Sequence, residues 1–304
     1  MKTNMSHKSE KISIIIVNMN KKDYLIRCIN SVIKKTKNVN YETIVVDNGS
    51  NDDSVSAIKK KFPKIKVISN EKNIGFAAAN NQGIKLGLKN NSEYFFLLNN
   101  DTEILTDNWL EDLVNFSEKS KDIGIVGCKL LYENGKIQHT GGYVNNAGIG
   151  RNLTFNITKP KEVQYATGAA LLIKKEVIDA VGFLDESFYP IYFEEVDFCF
   201  RARKIKYRIF VYPEVKILHH ESITTKENKE KYLVMNKNRI RFILLNFPVY
   251  KILIMIFFEI FRMVKSLFKK RLKMLLKAYL ENIKNLHEIM KKRSYLKVKR
   301  DELL

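Results

Sequence analysis

Two hydrophobic rhythms alternate along the first hundred residues. Ile12 to Val17 (ISIIIV) and Glu42 to Val46 (ETIVV) are short, β-branched apolar runs, too short for helices and suited to strands buried on both faces. Between them Leu25, Cys28, Ile29, Val32 and Ile33 recur at helical spacing, predicting a helix over Tyr24 to Lys35. The same order repeats: helix over Ser54 to Phe62, strand over Lys66 to Ile68, helix over Ala77 to Leu88, strand over Tyr94 to Leu98. Strand, helix, strand in succession predicts an α/β fold whose central sheet is mainly parallel, with helices on both faces.

After Asp101 the pattern loosens. A helix is expected over Trp109 to Glu118, a strand over Gly124 to Cys128, and turns or a mobile loop over the Gly/Asn-rich stretch from Gly141 to Asn152. Strand-like Ala169 to Ile173 and helical Lys175 to Val181 follow, and from Asn228 the period is helical almost to the end, punctuated by Pro248. This places a boundary near residue 225, with a main domain over 1–225 and a helical region over 226–304.

Charge changes the picture at that boundary. The 304 residues carry a formal net charge of +20, and the last 44 hold 14 Lys/Arg against 4 Asp/Glu. Such a surplus implies polyanionic company: nucleic acid, an anionic membrane surface or a phosphorylated substrate. From Phe257 to Met290, apolar Phe261, Leu267 and Leu275 interleave with basic Arg262, Lys269 and Lys273, the pattern of a helix settling in a membrane interface. Packing on the main domain or on a second copy explains the apolar face equally well. Phe242 to Phe261 is the most apolar stretch, but Asn246, Pro248, Lys251 and Glu259 interrupt it, short of the roughly 20 clean residues of a spanning helix. Met1 to Lys11 is polar with no signal-peptide core, which predicts a cytoplasmic protein held peripherally on the inner face of the membrane. Three scattered cysteines, Cys28, Cys128 and Cys199, fit a reducing compartment and a buried, unbridged role.

Four polar constellations stand against this background. Asp47, Asn48, Gly49 and Ser50 follow a buried strand directly, where an open parallel sheet binds ligands, although an Asn-Gly turn explains them as well. Asn99, Asn100 and Asp101 follow another, and an acid there suits a hard divalent cation bridging phosphate oxygens. Between them Gly75 opens a helix that carries Asn80 and Gly83, an anion-favouring geometry or simply close packing; GxGxxG is absent. Glu194, Glu195 and Asp197 sit in an aromatic frame of Phe193, Phe198 and Phe200, where mutual repulsion and water exclusion raise a carboxyl pKa toward general-base use. Finally, His219 and His220 close a strand-like run, available to a cation or to phosphate oxygen.

In this order the stretches IIIVNMN, YETIVVDNGSNDDS, NIGFAAANNQG, YFFLLNNDTEI, ATGAALLIKKEVIDAVGFLDESFYPIYFEEVDFCFRA and ILHH resemble the inverting, GT-A-fold glycosyltransferases of family 2, the rhamnosyltransferase-like branch in particular. The resemblance covers about residues 12–221. It implies that Asp47 and the surroundings of Asn18 hold the nucleotide base and ribose, with Asn48, Gly75 and Asn80 lining the donor site. Asn99 and Asp101 fall on the outer positions of the family's DxD metal motif, with Asn99 replacing an acid. Gly168 would wall the pocket, and His219 or His220 would face the diphosphate or a Mg or Mn ion. Glu195 falls on the second position of the family's Glu-Asp pair and is the implied base; Glu194 and Asp197 are the alternatives.

The implied reaction is one in-line displacement of a nucleoside diphosphate from a sugar, with rhamnose as the candidate that the branch suggests, by a glycan or lipid-linked acceptor, with inversion, in polysaccharide biosynthesis. The rival readings are an inactive, membrane-associated scaffold, left open by Asn99, and a basic nucleic-acid-binding protein, disfavoured because no such module is legible. No nucleic-acid partner is expected, and a homo-oligomer is left open.

Overall fold

In a computed structural model the described residues are 10–220, 229–268 and 271–303. The chain begins as β1 (Lys11–Asn18), α1 (Lys22–Lys35), β2 (Tyr41–Asn48), α2 (Ser54–Lys61), β3 (Lys66–Asn70), α3 (Phe76–Lys89) and β4 (Ser92–Asn99). It continues through β5 (Thr102–Ile104), α4 (Trp109–Ser117), β6 (Ile123–Leu131), β7 (Ile137–His139), β8 (Gly142–Val144), β9 (Gly150–Asn152) and β10 (Lys161–Val163). Then come β11 (Ala170–Lys174), α5 (Lys175–Val181), α6 (Glu194–Lys204) and β12 (Arg208–His219). Four helices end it: α7 (Lys229–Asn246), α8 (Val249–Phe268), α9 (Leu272–Lys284) and α10 (Leu286–Leu303).

The sheet runs β10-β12-β6-β11-β4-β1-β2-β3, with β5 added to β12 and β7 to β6. β3, β2, β1 and β4 are mutually parallel, β11 reverses between β4 and β6, and β12 pairs parallel with β6. Six of the ten strands therefore share one direction, the mainly parallel α/β sheet that the periodicity predicts.

Both faces are covered because the strands are apolar on both. Ile14 and Ile16 of β1 pack with Leu25, Cys28, Ile29 and Val32 of α1, while Ile15 faces Ala79 and Ile84 of α3. The helix α3 lies so close that a Cβ on Gly83 would stand 2.4 Å from Ile15. All three cysteines are buried and unbridged.

Two expectations change, and a third lies outside the described residues. The Gly141 to Asn152 stretch is a β8-β9 hairpin, because the Asn145 side chain accepts the Ala147 and Ile149 N–H groups and closes the turn. The Phe257 to Met290 pattern is divided among α8, α9 and α10, with a break at Asn285. The boundary near residue 225 falls within 221–228, outside the described residues. Beyond it, α7 packs directly on α6: the buried Phe242 ring lies 5.5 Å from Phe193 and 4.9 Å from Phe200. The helical region thus contributes to the same hydrophobic core as the sheet.

Candidate active site

Each of the four parallel strands ends on asparagine: Asn18, Asn48, Asn70 and Asn99. Register places Asn18 beside Asp47 and Val17 beside Asn99, so these polar ends form one shelf at the carboxyl edge of the sheet. Asn18 is fully buried and donates to Asp47 Oδ1 at 2.9 Å; it accepts from Asn100 Nδ2 at 2.6 Å. The Ser50 backbone N–H and hydroxyl donate to the two Asp47 oxygens. Asp47 is 3% exposed and fixed from three sides before any ligand arrives. A preorganised acceptor of this kind suits ribose or base N–H and O–H groups.

Asn48 plays a different part. Its Nδ2 donates to Asn73 at 2.9 Å and its Oδ1 accepts the Ile74 N–H at 3.0 Å, bracing the loop that leads to Gly75. At φ +93, Gly75 occupies left-handed space, and a Cβ there would meet Tyr189 at 2.9 Å. Asn80 is buried and returns its amide to the Phe76 carbonyl at 2.9 Å. These residues shape the shelf more than they present groups to it.

Asp101 is the charged centre. Lys21 Nζ lies 2.8 Å from its Oδ2, and His219 Nε2 lies 3.2 Å from its Oδ1. Burial pushes the Asp101 carboxyl up, but hydrogen bonds and charge from His219 and Lys21 win and hold it well below the usual carboxylate range. His219 Nδ1 faces Gln138 Oε1 at 2.8 Å, so with Nδ1 as donor the Nε2 atom is turned to Asp101 and to Asn99 Nδ2 at 3.4 Å. The structure divides the histidine pair. Both ring nitrogens of His220 are taken by Glu103 and Glu133, which leaves His219 alone with Asp101 and removes His220 from the expected ligand set.

A divalent cation fits this corner. Two ligand atoms 3.2 Å apart match adjacent vertices of a coordination shell with bonds of about 2.1–2.3 Å. The Asn99 amide, turned so that oxygen replaces nitrogen, adds a third donor. Among the described residues no group of three or more His, Cys, Asp or Glu is arranged to hold a metal ion.

The glutamates arrive from the far side of the sheet reversal. Asn99 N donates to the Ala169 carbonyl at 3.0 Å, and a Cβ on the adjacent Gly168 would lie 3.3 Å from Phe76 and 3.5 Å from Glu195. One short segment therefore joins the Asp101 corner, the start of α3 and the helix α6 that carries the two glutamates. Glu195 is partly open, and the Gly168 N–H supports its carboxylate; Glu194 is 2% exposed, with Oε2 lacking any hydrogen bond. Burial raises the pKa of both, and for Glu194 the neighbouring Glu195 charge raises it further.

Asp197 is committed elsewhere. It is 1% exposed, accepts from Arg201 Nε at 2.8 Å and from Asn246 Nδ2 at 2.7 Å, and so ties α6 to α7. This buried ion pair gives the third acid of the run a structural partner on each side. Just before α6, Tyr192 and Phe193 both have positive φ, 84° and 77°, a costly backbone for aromatic residues. Asn238 of α7 holds that turn by donating to the Phe188, Ile191 and Tyr192 carbonyls.

The structure thus brings Asn18, Asp47, Asn99, Asp101, Gly168, Glu194, Glu195 and His219 to one region, and gives Asn48, Asn80, Asp197 and His220 supporting contacts. Sequence reasoning missed Lys21, Gln138 and Asn238. Lys21 follows β1 in NMNKK, and its place past a strand end is the signal that was available; Gln138 and Asn238 carry none.

The mainly parallel sheet and the polar shelf at its carboxyl edge define a glycosyltransferase-type α/β architecture. The chain belongs to glycosyl transferase family 2, whose model matches residues 13–182. It is 25% identical to the O-antigen biosynthesis protein RfbC of Myxococcus xanthus, over 70% of this chain and 17% of that protein. It is 27% identical to the low-salt glycan biosynthesis hexosyltransferase Agl10 of Haloferax volcanii, over 78% of this chain and 76% of that one. The chain spans only 24% and 17% of the length of the first two curated relatives it matches. The crystal structure of GalNAc-T7 with UDP, GalNAc and Mn2+ superposes with a TM-score of 0.63 at 18% identity, covering 80% of this chain and 49% of that one, which establishes the GT-A fold.

Proposed function

We propose that this glycosyltransferase moves a hexose or deoxyhexose, rhamnose being the candidate from the sequence resemblance, from a nucleoside-diphosphate donor to a glycan or lipid-linked acceptor, with inversion. Cell-surface polysaccharide synthesis is the setting that the names of its relatives support. The observation that carries the reading is the Gly168–Ala169 segment, which sets a partly open glutamate of raised pKa beside the Asn99–Asp101 corner.

The nucleoside would lie along the shelf, with Asp47 accepting its hydrogen bonds and Asn18 holding Asp47 in place. Lys21, half exposed and 2.8 Å from Asp101, is the chain's own cation for the departing diphosphate. Asp101, His219 and Asn99 would hold a Mg or Mn ion, which when bound supplies Lewis-acid neutralisation of phosphate charge. Glu195 accepts the proton of the acceptor hydroxyl as that oxygen attacks the anomeric carbon, and Phe193 and Phe198 limit water around it.

The test is a panel of dTDP, UDP and GDP sugars incubated with the chain and Mg or Mn, followed by release of nucleoside diphosphate and by NMR of the product's anomeric configuration. Release from one donor class with inverted product supports the reading. A retained configuration refutes it, and no release from any donor favours an inactive scaffold.

A further inference from the structure

The helix α8 is amphipathic in the reverse sense. Its inward seam, Ile252, Met255, Glu259, Arg262 and Ser266, becomes charged toward its end, whereas its outward arc is almost entirely apolar. Glu259 accepts from Arg239 Nη2 at 2.8 Å and from the Tyr279 hydroxyl, Arg262 donates to Asn236, and Ser266 meets Tyr232 at 2.9 Å. Glu259, Arg262 and Ser266 on the inward seam are thus paired with α7 and α9. Twelve large apolar side chains of the same helix stand 48–82% exposed, among them Leu253, Ile256, Phe257, Phe261, Val264 and Phe268. An aqueous helix buries the opposite face.

We infer that α8 is a membrane-surface anchor, lying in the plane of an anionic bilayer with its apolar arc in the hydrocarbon boundary. Three features favour lipid over a protein partner. At about 100° per residue the exposed arc spans about 200° of the helix, wider than one packed helix covers but natural for a solvent of acyl chains. Lys251 and Lys265 sit along one margin of that arc, placed to reach phosphate headgroups, and the last 44 residues hold 14 Lys/Arg against 4 Asp/Glu. A pocket of about 380 Å³ lies where α8 meets α7 and α9 and reaches the arc at Ile256; apolar Ile240, Ile243, Leu244, Ile252 and Ile283 line it beside Arg239 and Glu259, with room for part of an acyl chain. No described helix is long and apolar enough to cross a membrane. The anchor begins three residues after Asn246, whose amide holds Asp197 of α6, so it is joined closely to the helix that carries the glutamates.

The inference is independent of the transferase reading, and its test measures binding alone. The full chain is floated with vesicles of phosphatidylcholine, and of phosphatidylcholine with about one third phosphatidylglycerol. The expected result is strong flotation with the anionic vesicles and weaker flotation with the neutral ones. The double variant Phe257→Glu/Phe261→Glu should bind about a hundredfold less, and the milder Leu253→Ser/Val264→Ser should also bind less. Both should keep the cooperative melt of the parent, since the replaced side chains are exposed. No vesicle binding, binding unchanged in both variants, or a solution dimer that both variants split would each overturn the anchor; the last would assign the arc to a second copy.

Discussion

Replacing Glu195 by glutamine removes one proton acceptor and little else. The Glu195 carboxylate is supported by the N–H of Gly168 and by the first N–H groups of α6, and a glutamine oxygen can accept the same bonds. Folding and donor binding should therefore survive, with the affinity for nucleoside diphosphate unchanged within about twofold. The loss falls on the chemical step. General-base catalysis contributes about 10²–10⁴ in rate, or about 3–5.5 kcal/mol of barrier at 1.36 kcal/mol per decade. Glu194→Gln is the control: it removes a buried neighbouring charge but leaves the base, so turnover at neutral pH should stay within about tenfold. The acid limb of the pH–rate profile should stay where it is in the parent, because burial rather than the Glu194 charge raises the Glu195 pKa. The assay is steady-state nucleoside diphosphate release from pH 4.5 to 9, beside calorimetric titration of the same nucleotide. Turnover of Glu195→Gln within about threefold of the parent, with collapse of Glu194→Gln, would reverse the assignment.

Glu194 also predicts how stability depends on pH. Its pKa is raised in the folded state, so the native chain binds more protons than the unfolded one above the ordinary value of 4.5, and stability falls as pH rises through that range. Thermal melts of Glu194→Gln should show a higher Tm at pH 8 and a flatter pH dependence than the parent; an unchanged slope would discount the buried charge. Asp197→Ala leaves Arg201, 5% exposed, without its carboxylate and should cost about 3–5 kcal/mol, read as a Tm lower by about 10 °C. A shift under about 2 °C would show the pair to be unimportant. Lys21→Met should weaken nucleoside diphosphate binding about tenfold while barely changing nucleoside binding, because the lost ammonium faces the phosphate corner. Equal losses for both ligands would place Lys21 elsewhere.

The parallel half of the sheet was legible because each strand and helix announces itself locally, by a β-branched run or by helical spacing. The polar strand ends followed from the same pattern, since Asp47, Asn99 and Asp101 come directly after buried runs. What lies between distant segments was not legible. The reversed β11 brings Gly168 beside both Glu195 and the Asn99 strand, a contact set by pairing across seventy residues. Asp197 looked as available as its neighbours until Arg201 and Asn246 were seen to consume it. The histidine pair looked equivalent, and only the packing of Gln138 against one ring and of Glu103 and Glu133 against the other separates them. In α8 the apolar and basic pattern was visible, but which face turns outward depends on the Arg239, Tyr279 and Asn236 contacts from α7 and α9.

The most direct test of the central claim is calorimetric titration of the full chain with UDP, dTDP, GDP and CDP, each with and without Mn or Mg, and of its Asp47→Ala and Asp101→Ala variants. The predicted result is preferential binding of one nucleotide class, strengthened by the metal. Asp47→Ala should weaken it at every metal concentration, and Asp101→Ala should abolish the metal effect alone. Absence of binding to every nucleoside diphosphate, or binding indifferent to both substitutions, would contradict a donor site at the carboxyl edge of this sheet.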